Sequence, residues 1–191
     1  MWGIDNKVMK FKSTYFAIYC TVLFCFCMLN LNVHSSAQTQ FISSIDKKKK
    51  PLLPKFSYQT MDDKKFTNEN LDKNSRLLII YFNPLCEVCQ RETSDIIDNI
   101  NYFQDIQIVM VSPAPKDDVS RFIKKFKITN YHQITVLHDK DDIFYKQFGA
   151  IGYPTLYLYN KKKELIENYD TEVQFEDIKD SFGSEVAALK K

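Results

Sequence analysis

The sequence predicts a single α/β domain built on a mixed sheet that is covered by helices on both faces. Short apolar runs at 77–82 and 106–111 alternate with segments of helical periodicity such as 116–127. Further along, runs at 156–159 and 164–169 flank a polar turn, which is typical of an antiparallel hairpin. Strands that first alternate with helices and then end in a hairpin favour a mixed sheet.

The remaining segments follow the same periodicities. They predict an N-terminal hairpin at 55–66 and a third inner strand at 134–137. They also predict three further helices, at 90–104, 141–148 and about 173–182. Gly149 is a natural C-cap for the short helix before it. With 191 residues and 45% hydrophobic content, the chain can bury one core of this kind.

The first 37 residues have the layout of a signal peptide or membrane anchor. Basic residues come first, an uncharged run occupies 13–33, and Ser35 and Ala37 lie in the small-residue slots of a cleavage site. The uncharged run is also long enough to span a bilayer as a retained anchor. In either case we expect the rest of the chain to lie outside the cytoplasm, in the periplasm or cell envelope.

The sequence after this leader divides into a tether and a domain. Residues 38–54 are polar, carry a lysine run and two prolines, and lack apolar periodicity, which favours a flexible tether before a domain at 55–191. Beyond residue 37 the acidic and basic residues are equal in number. A neutral chain of this kind gives no support for nucleic-acid binding, and any membrane contact is expected only through an uncleaved leader.

The cysteines point to chemistry rather than to a disulfide scaffold. Cys20, Cys25 and Cys27 all lie in the leader, so the domain contains only Cys86 and Cys89. A disulfide across two intervening residues closes a very small loop and stabilises a fold little. We therefore interpret the pair as reactive thiols.

Their position at the end of the predicted strand 77–82 favours redox chemistry. A helix that starts at Cys86 places its sulfur at a helix N-terminus, where free N–H groups and the helix dipole favour a thiolate, and places Cys89 one turn further in. Zinc needs about four ligands, and the domain adds only His132 and His138. We expect neither a metal nor another cofactor.

Glu92 and Pro154 are further candidates. Glu92 falls on the apolar stripe of its helix, three residues after Cys89, where burial would raise the pKa of its carboxyl and allow proton exchange with that thiol. The alternative is a glutamate at the rim of the stripe that reaches water. Pro154 precedes a strand and is either an ordinary turn proline or a cis proline.

Together these motifs resemble the thioredoxin superfamily, above all the exported TlpA/ResA-type thiol-disulfide oxidoreductases. The resemblance covers about 52–183. It rests on the helix that carries Glu92 and on two motifs, Phe82-Asn83-Pro84-Leu85-Cys86-Glu87-Val88-Cys89 and Gly152-Tyr153-Pro154-Thr155.

The resemblance implies a thioredoxin-like fold and a role for each site residue. Cys86 is then the nucleophile, Cys89 the resolving thiol and Glu92 an assisting acid. Pro154 is implied to be cis, and the Tyr153 backbone to pair with an extended client segment. Two departures stand out: Leu85 replaces the usual tryptophan, and Ile80 replaces the buried acid of thioredoxins proper.

We therefore expect an extracytoplasmic thiol-disulfide oxidoreductase that reduces or exchanges disulfides in partner proteins. Its expected partners are disulfide-containing or dithiol client proteins and a membrane electron donor. Two alternatives remain open. One is a peroxiredoxin-like thiol peroxidase, although the threonine or serine expected shortly before the cysteine is missing from 83–85. The other is a thioredoxin-fold binding module with a permanent disulfide.

Overall fold

The computed structural model describes residues 50–188, with side chains as far as residue 184. It contains seven strands: β1 (Ser57–Thr60), β2 (Lys65–Thr67), β3 (Arg76–Tyr81), β4 (Ile106–Ser112), β5 (Ile134–His138), β6 (Thr155–Tyr159) and β7 (Leu165–Tyr169). The α-helices are α1 (Glu87–Asp98), α2 (Lys116–Lys125), α3 (Phe144–Phe148) and α4 (Phe175–Ala188). Short 3-10 turns lie at Asn68–Asn70, Ile100–Phe103 and Ile128–Asn130.

The strands form one mixed sheet in the order β2-β1-β5-β4-β3-β6-β7. The inner strands β3, β4 and β5 are parallel, whereas all other pairings are antiparallel. Strand β3 lies between β4 and β6 in the interior of the sheet. Its residues are almost all apolar because both of its faces are buried.

Alternate residues of β3 point into two separate cores. On one face, Leu78 and Ile80 pack in a cluster with residues of α1, α2 and α4. On the other, Leu77 and Ile79 pack with α3 and with the N-terminal segment around Phe56. The predicted mixed α/β sheet, covered on both faces, is confirmed.

Two predicted helices differ from the observed ones at their ends. Helix α1 begins at Glu87, directly after Cys86, as the redox interpretation requires. It stops at Asp98 rather than at 104, because the Asn99 side chain donates to the Asp95 carbonyl (2.9 Å) and ends the regular turn. Helix α3 begins only at Phe144, because Asp142 has a left-handed backbone (φ 47°) that no α-helix accepts.

The N-terminal hairpin is confirmed and extends the sheet by pairing β1 with β5. The folded domain nevertheless begins earlier than the predicted boundary after residue 54. The Leu53 N–H donates to the Lys163 carbonyl (2.9 Å), and the Leu165 N–H donates to the Pro51 carbonyl (2.8 Å). Residues 51–53 are therefore attached to the turn between β6 and β7 rather than acting as a tether.

The predicted leader at 1–37 and the tether as far as residue 49 lie outside the described residues. Within 50–188, no helix is both long and apolar enough to cross a bilayer.

The central position of β3 leads to a stability prediction. Leu78 is fully buried, whereas Leu85 is 71% exposed. We expect Leu78→Ala to lower the free energy of unfolding by about 2–5 kcal/mol, because it leaves a cavity in the core. The chemically identical change Leu85→Ala should alter it by no more than about 0.5 kcal/mol. Denaturant titration of the full chain measures both values, and equal losses in the two variants would contradict the assigned core.

Candidate active site

Cys86 lies where β3 leads into α1, as the N-cap residue of that helix. Its backbone is extended (φ −78°, ψ 119°), and its carbonyl accepts the first helical hydrogen bond, from the Gln90 N–H (3.1 Å). The side chain makes no capping hydrogen bond and is half-buried. The residue is therefore partly exposed, and its side chain is not committed to stabilising the helix end.

The turn before Cys86 is fixed by local hydrogen bonds. The Asn83 side chain accepts from the Leu85 N–H (2.9 Å), and the Asn83 carbonyl accepts from the Cys86 N–H (3.1 Å). The Gln90 side chain reaches back from α1 to donate to the Pro84 carbonyl (2.9 Å). The position of the sulfur is thus set by contacts to both the turn and the helix.

Cys89 lies one turn further along α1 and is only 1% exposed. Both cysteines are free thiols in this structure. Burial raises the pKa of the Cys89 thiol to about 12, and the nearby Cys86 and Glu92 act in the same direction. Cys89 is therefore protonated at neutral pH and needs a proton acceptor before it can act as a nucleophile.

Glu92 is also 1% exposed, in agreement with its predicted position on the apolar stripe of α1. One carboxylate oxygen, Oε2, accepts from the Val173 N–H (3.0 Å), while Oε1 is buried without a partner among the described residues. Burial raises the pKa of Glu92 to about 7, Val173 partly offsets this, and Asp95 and Glu172 raise it further. A carboxyl with this pKa both gains and loses a proton near neutral pH.

A clamp holds Val173 against Glu92. Arg91, the preceding residue of α1, forms a two-pronged ion pair with Glu172 (2.9 and 3.0 Å). An exposed ion pair of this kind contributes little stability, about 0–1 kcal/mol. Its effect is to position the connection between β7 and α4. Arg91 binds Glu172, and the next residue of the helix, Glu92, binds the next residue of the connection, Val173.

The structure brings Pro154 to the same place. The Tyr153–Pro154 peptide bond is cis, as the resemblance implies, and Pro154 is buried. The Tyr153 carbonyl oxygen lies 4.0 Å from the Cys86 sulfur. Residues 67 positions apart in the chain therefore face each other.

Apolar side chains are exposed at and near this contact. Leu85, in the position usually held by tryptophan, is 71% exposed, and Ile151 near Pro154 is 82% exposed. By contrast, Ile80 is 1% exposed and packs in the same core cluster as Cys89. The buried acid of this site is accordingly on α1 rather than on the central strand.

Sequence reasoning missed the residues that support Tyr153. Its ring packs against the ring of Tyr81 (centroids 4.8 Å apart), and its hydroxyl donates to the Tyr81 hydroxyl (3.3 Å). Tyr81 in turn donates to Asp142 (3.1 Å). The Glu172–Arg91 clamp was also missed. These contacts join distant segments, and no local pattern in the sequence signals them.

No group of three or more histidine, cysteine, aspartate or glutamate side chains within 50–184 is placed to hold a metal ion.

Comparison with known families identifies the chain. The AhpC/TSA family profile matches residues 51–168, well over half of the sequence. The chain belongs to the AhpC/TSA family. This confirms the resemblance to the thioredoxin superfamily and assigns the protein to a thioredoxin-like redox family.

Solved structures similar to this AhpC/TSA member share its fold. A Neisseria meningitidis protein described as a thioredoxin is 26% identical, with a TM-score of 0.59 over 72% of this chain and 90% of that one. A secreted Mycobacterium tuberculosis disulfide oxidoreductase is 14% identical (TM-score 0.58; 68% and 95% covered). The peroxidoxin BcpB of the same organism is 13% identical (TM-score 0.60; 73% and 97% covered). No curated protein matches the sequence.

The burial of Glu92 leads to a prediction about pH. Its pKa in the folded state, about 7, lies above its ordinary value of 4.5, so the folded protein holds this proton more tightly than the unfolded chain does. The contribution of Glu92 to stability is therefore largest below pH 4.5 and is lost as the pH rises through 7. We expect Glu92→Gln to remove this loss and to raise the free energy of unfolding above pH 7 by up to about 3 kcal/mol.

Denaturant titration across this pH range measures the effect. Asp98→Asn is the matched control, since it removes one exposed carboxylate from the same helix. Parallel pH profiles for the original protein and Glu92→Gln would contradict the assignment of Glu92 as a buried titrating acid.

The difference in burial of the two thiols predicts selective alkylation. Iodoacetamide at neutral pH should modify Cys86 at least about tenfold faster than Cys89, because the latter is inaccessible and protonated. Fragmentation mass spectrometry of the peptide that contains both residues distinguishes the two sites. Prior denaturation should remove the difference, and equal labelling of the native protein would show that the site is wrongly described.

Proposed function

We propose that the protein is an extracytoplasmic thiol-disulfide oxidoreductase that reduces or exchanges disulfides in client proteins through Cys86 and Cys89. One observation carries the proposal. The sulfur of the partly exposed Cys86 lies at the start of α1 and 4.0 Å from the carbonyl that precedes cis Pro154, with a second thiol buried one helical turn behind it.

In the first step, the Cys86 thiolate attacks one sulfur of the client disulfide. A bond forms between Cys86 and that sulfur, the client S–S bond breaks, and the second client sulfur leaves as a thiolate that takes a proton from water. Cys86 and the client are then joined by a mixed disulfide.

In the second step, Cys89 resolves the mixed disulfide. Its proton passes to Glu92, whose pKa of about 7 leaves a large fraction ionised at neutral pH, and its sulfur attacks Cys86. The client sulfur that was bound to Cys86 leaves as a thiolate and takes a proton from water, so the client is released as a dithiol. Two electrons have passed to it from Cys86 and Cys89, which become a disulfide. A dithiol donor at the membrane then reduces this disulfide.

Client binding is assigned to the segment that contains Tyr153 and Pro154. The backbone of Tyr153 faces Cys86 and provides hydrogen-bonding groups for an extended client segment, as in β-augmentation. The exposed side chains of Leu85 and Ile151 supply apolar contact area at and near the sulfur. Such a surface favours unfolded or extended clients over rigid ones.

Two observations support a location outside the cytoplasm. The leader has the layout of a signal peptide or anchor, and one structural neighbour is a secreted disulfide oxidoreductase. A domain held outside the cytoplasm also needs its electrons from a membrane donor, because cytosolic thiols do not reach it.

The mechanism predicts that Cys89→Ser traps clients covalently. Without the resolving thiol, the mixed disulfide on Cys86 should persist, and non-reducing electrophoresis should show bands that disappear on reduction. The matched control is the double variant Cys86→Ser with Cys89→Ser, which retains Cys20, Cys25 and Cys27 and reports any background from them. Equal capture by both variants would exclude Cys86 as the nucleophile.

Peroxide and reductant assays test the alternatives. Faster Cys86-dependent consumption of peroxide than of protein disulfide would favour the peroxidase. A Cys86–Cys89 disulfide that dithiothreitol reduces only after the domain unfolds would favour a binding module.

A further inference from the structure

A cavity of 230 Å³ lies beside the loop that carries cis Pro154. The residues that line it include Tyr81, Tyr145, Tyr153, Ile151 and Asp142. The mechanism above uses none of these side chains except the exposed Ile151. The cavity is large enough for one long amino-acid side chain.

Tyr153 connects this cavity to the reactive sulfur. Its carbonyl oxygen lies 4.0 Å from the Cys86 sulfur, and the residue also lines the cavity. A client segment that is paired with the Tyr153 backbone advances about 3.3 Å per residue. A residue within a few positions of the attacked client cysteine therefore reaches the cavity.

Asp142 is held in a fixed position. Its Oδ1 accepts from the Tyr81 hydroxyl (3.1 Å), and Tyr81 accepts from the Tyr153 hydroxyl (3.3 Å). The backbone N–H of Asp142 donates to the Asp139 carbonyl (3.1 Å) in a tight turn. No described residue donates to its second carboxylate oxygen, which leaves one acceptor for a ligand.

The cavity has the chemistry of a cation site. Asp142 is the only charged residue among those described in the walls, which also include three tyrosines. A carboxylate combined with aromatic faces attracts ammonium or guanidinium groups. The Lys146 ammonium, which is not among the lining residues, lies 5.3 Å from the centre of the Tyr145 ring, so that ring already accepts a cation. Asp142 is exposed, so an apolar side chain would gain nothing from its charge, whereas an acidic one would be repelled.

We propose that this cavity is a subsite for a lysine or arginine side chain of the client, located a few residues from the cysteine that Cys86 attacks. The inference rests on the proposed function, since it assigns a client preference to the same reaction. The protein would thereby select clients in which a basic residue lies close to the disulfide.

Reduction of short disulfide-bridged peptides tests the subsite. Each peptide set carries lysine, arginine, glutamine, leucine or glutamate at one position near a cysteine, and the sets scan the positions on both sides. Second-order rate constants are measured with the reduced full-length protein, and rates with Cys86→Ser are subtracted to remove the contribution of the leader cysteines. At one or more positions, we expect the basic peptides to react roughly tenfold faster than glutamine.

Two variants assign the preference to the cavity. Asp142→Asn keeps an acceptor for Tyr81 but removes the charge, and it should reduce the ratio of lysine to glutamine rates to within about twofold. Asp141→Asn removes the same charge from the adjacent exposed residue, which does not line the cavity, and should keep the ratio.

The outcomes separate the inference from the proposed function. Equal rates for lysine and glutamine at every position, or fastest reaction with leucine, would overturn the subsite even if Asp142→Asn failed to fold. If Asp142→Asn and Asp141→Asn abolished the preference equally, the preference would come from long-range attraction, and the subsite would also be overturned. If the original protein reduced none of the peptides faster than the Cys86→Ser variant does, the proposed function itself would fail.

Discussion

The antiparallel pairing of β3 with β6 is the constraint on which the site depends. In this register Tyr81, the last residue of β3, is opposite Thr155, the first residue of β6. The chain beyond β3 leads to Cys86, and the chain before β6 contains Pro154, so the pairing brings the two together. A shift by one residue would also turn every apolar side chain of β6 to the opposite face, and the two cores therefore hold the register in place.

The buried carboxyl shows how chemistry and stability oppose each other in this domain. Glu92 lies among apolar side chains of α1, where a charged form is unfavourable and one oxygen has no partner among the described residues. A leucine or glutamine there would pack at less cost above neutral pH. The same environment brings the pKa close to neutrality, and the Val173 N–H keeps it from rising further. The position thus suits proton exchange better than it suits folding.

Much of this arrangement could be predicted from local sequence patterns. The apolar run before Cys86 identifies the central strand, and helical spacing places Cys89 and Glu92 on the inner face of α1. The partners of these residues could not be predicted in this way. Val173 reaches Glu92 across 81 positions, and the left-handed backbone of Asp142 shortens α3 although the surrounding residues are compatible with a helix.

The attachment of residues 51–53 has a consequence for access to the thiol. They bind the turn that follows β6, and Tyr159, the last residue of that strand, pairs with Leu77 near the start of β3. Cys86 lies beyond the other end of β3, a strand of six residues or about 20 Å. Residues 51–53 thus lie at the end of the sheet opposite the sulfur. The hydrogen bonds that fix 51–53 are therefore separated from the sulfur by the full length of the central strand, so a substitution in one region should leave the other undisturbed.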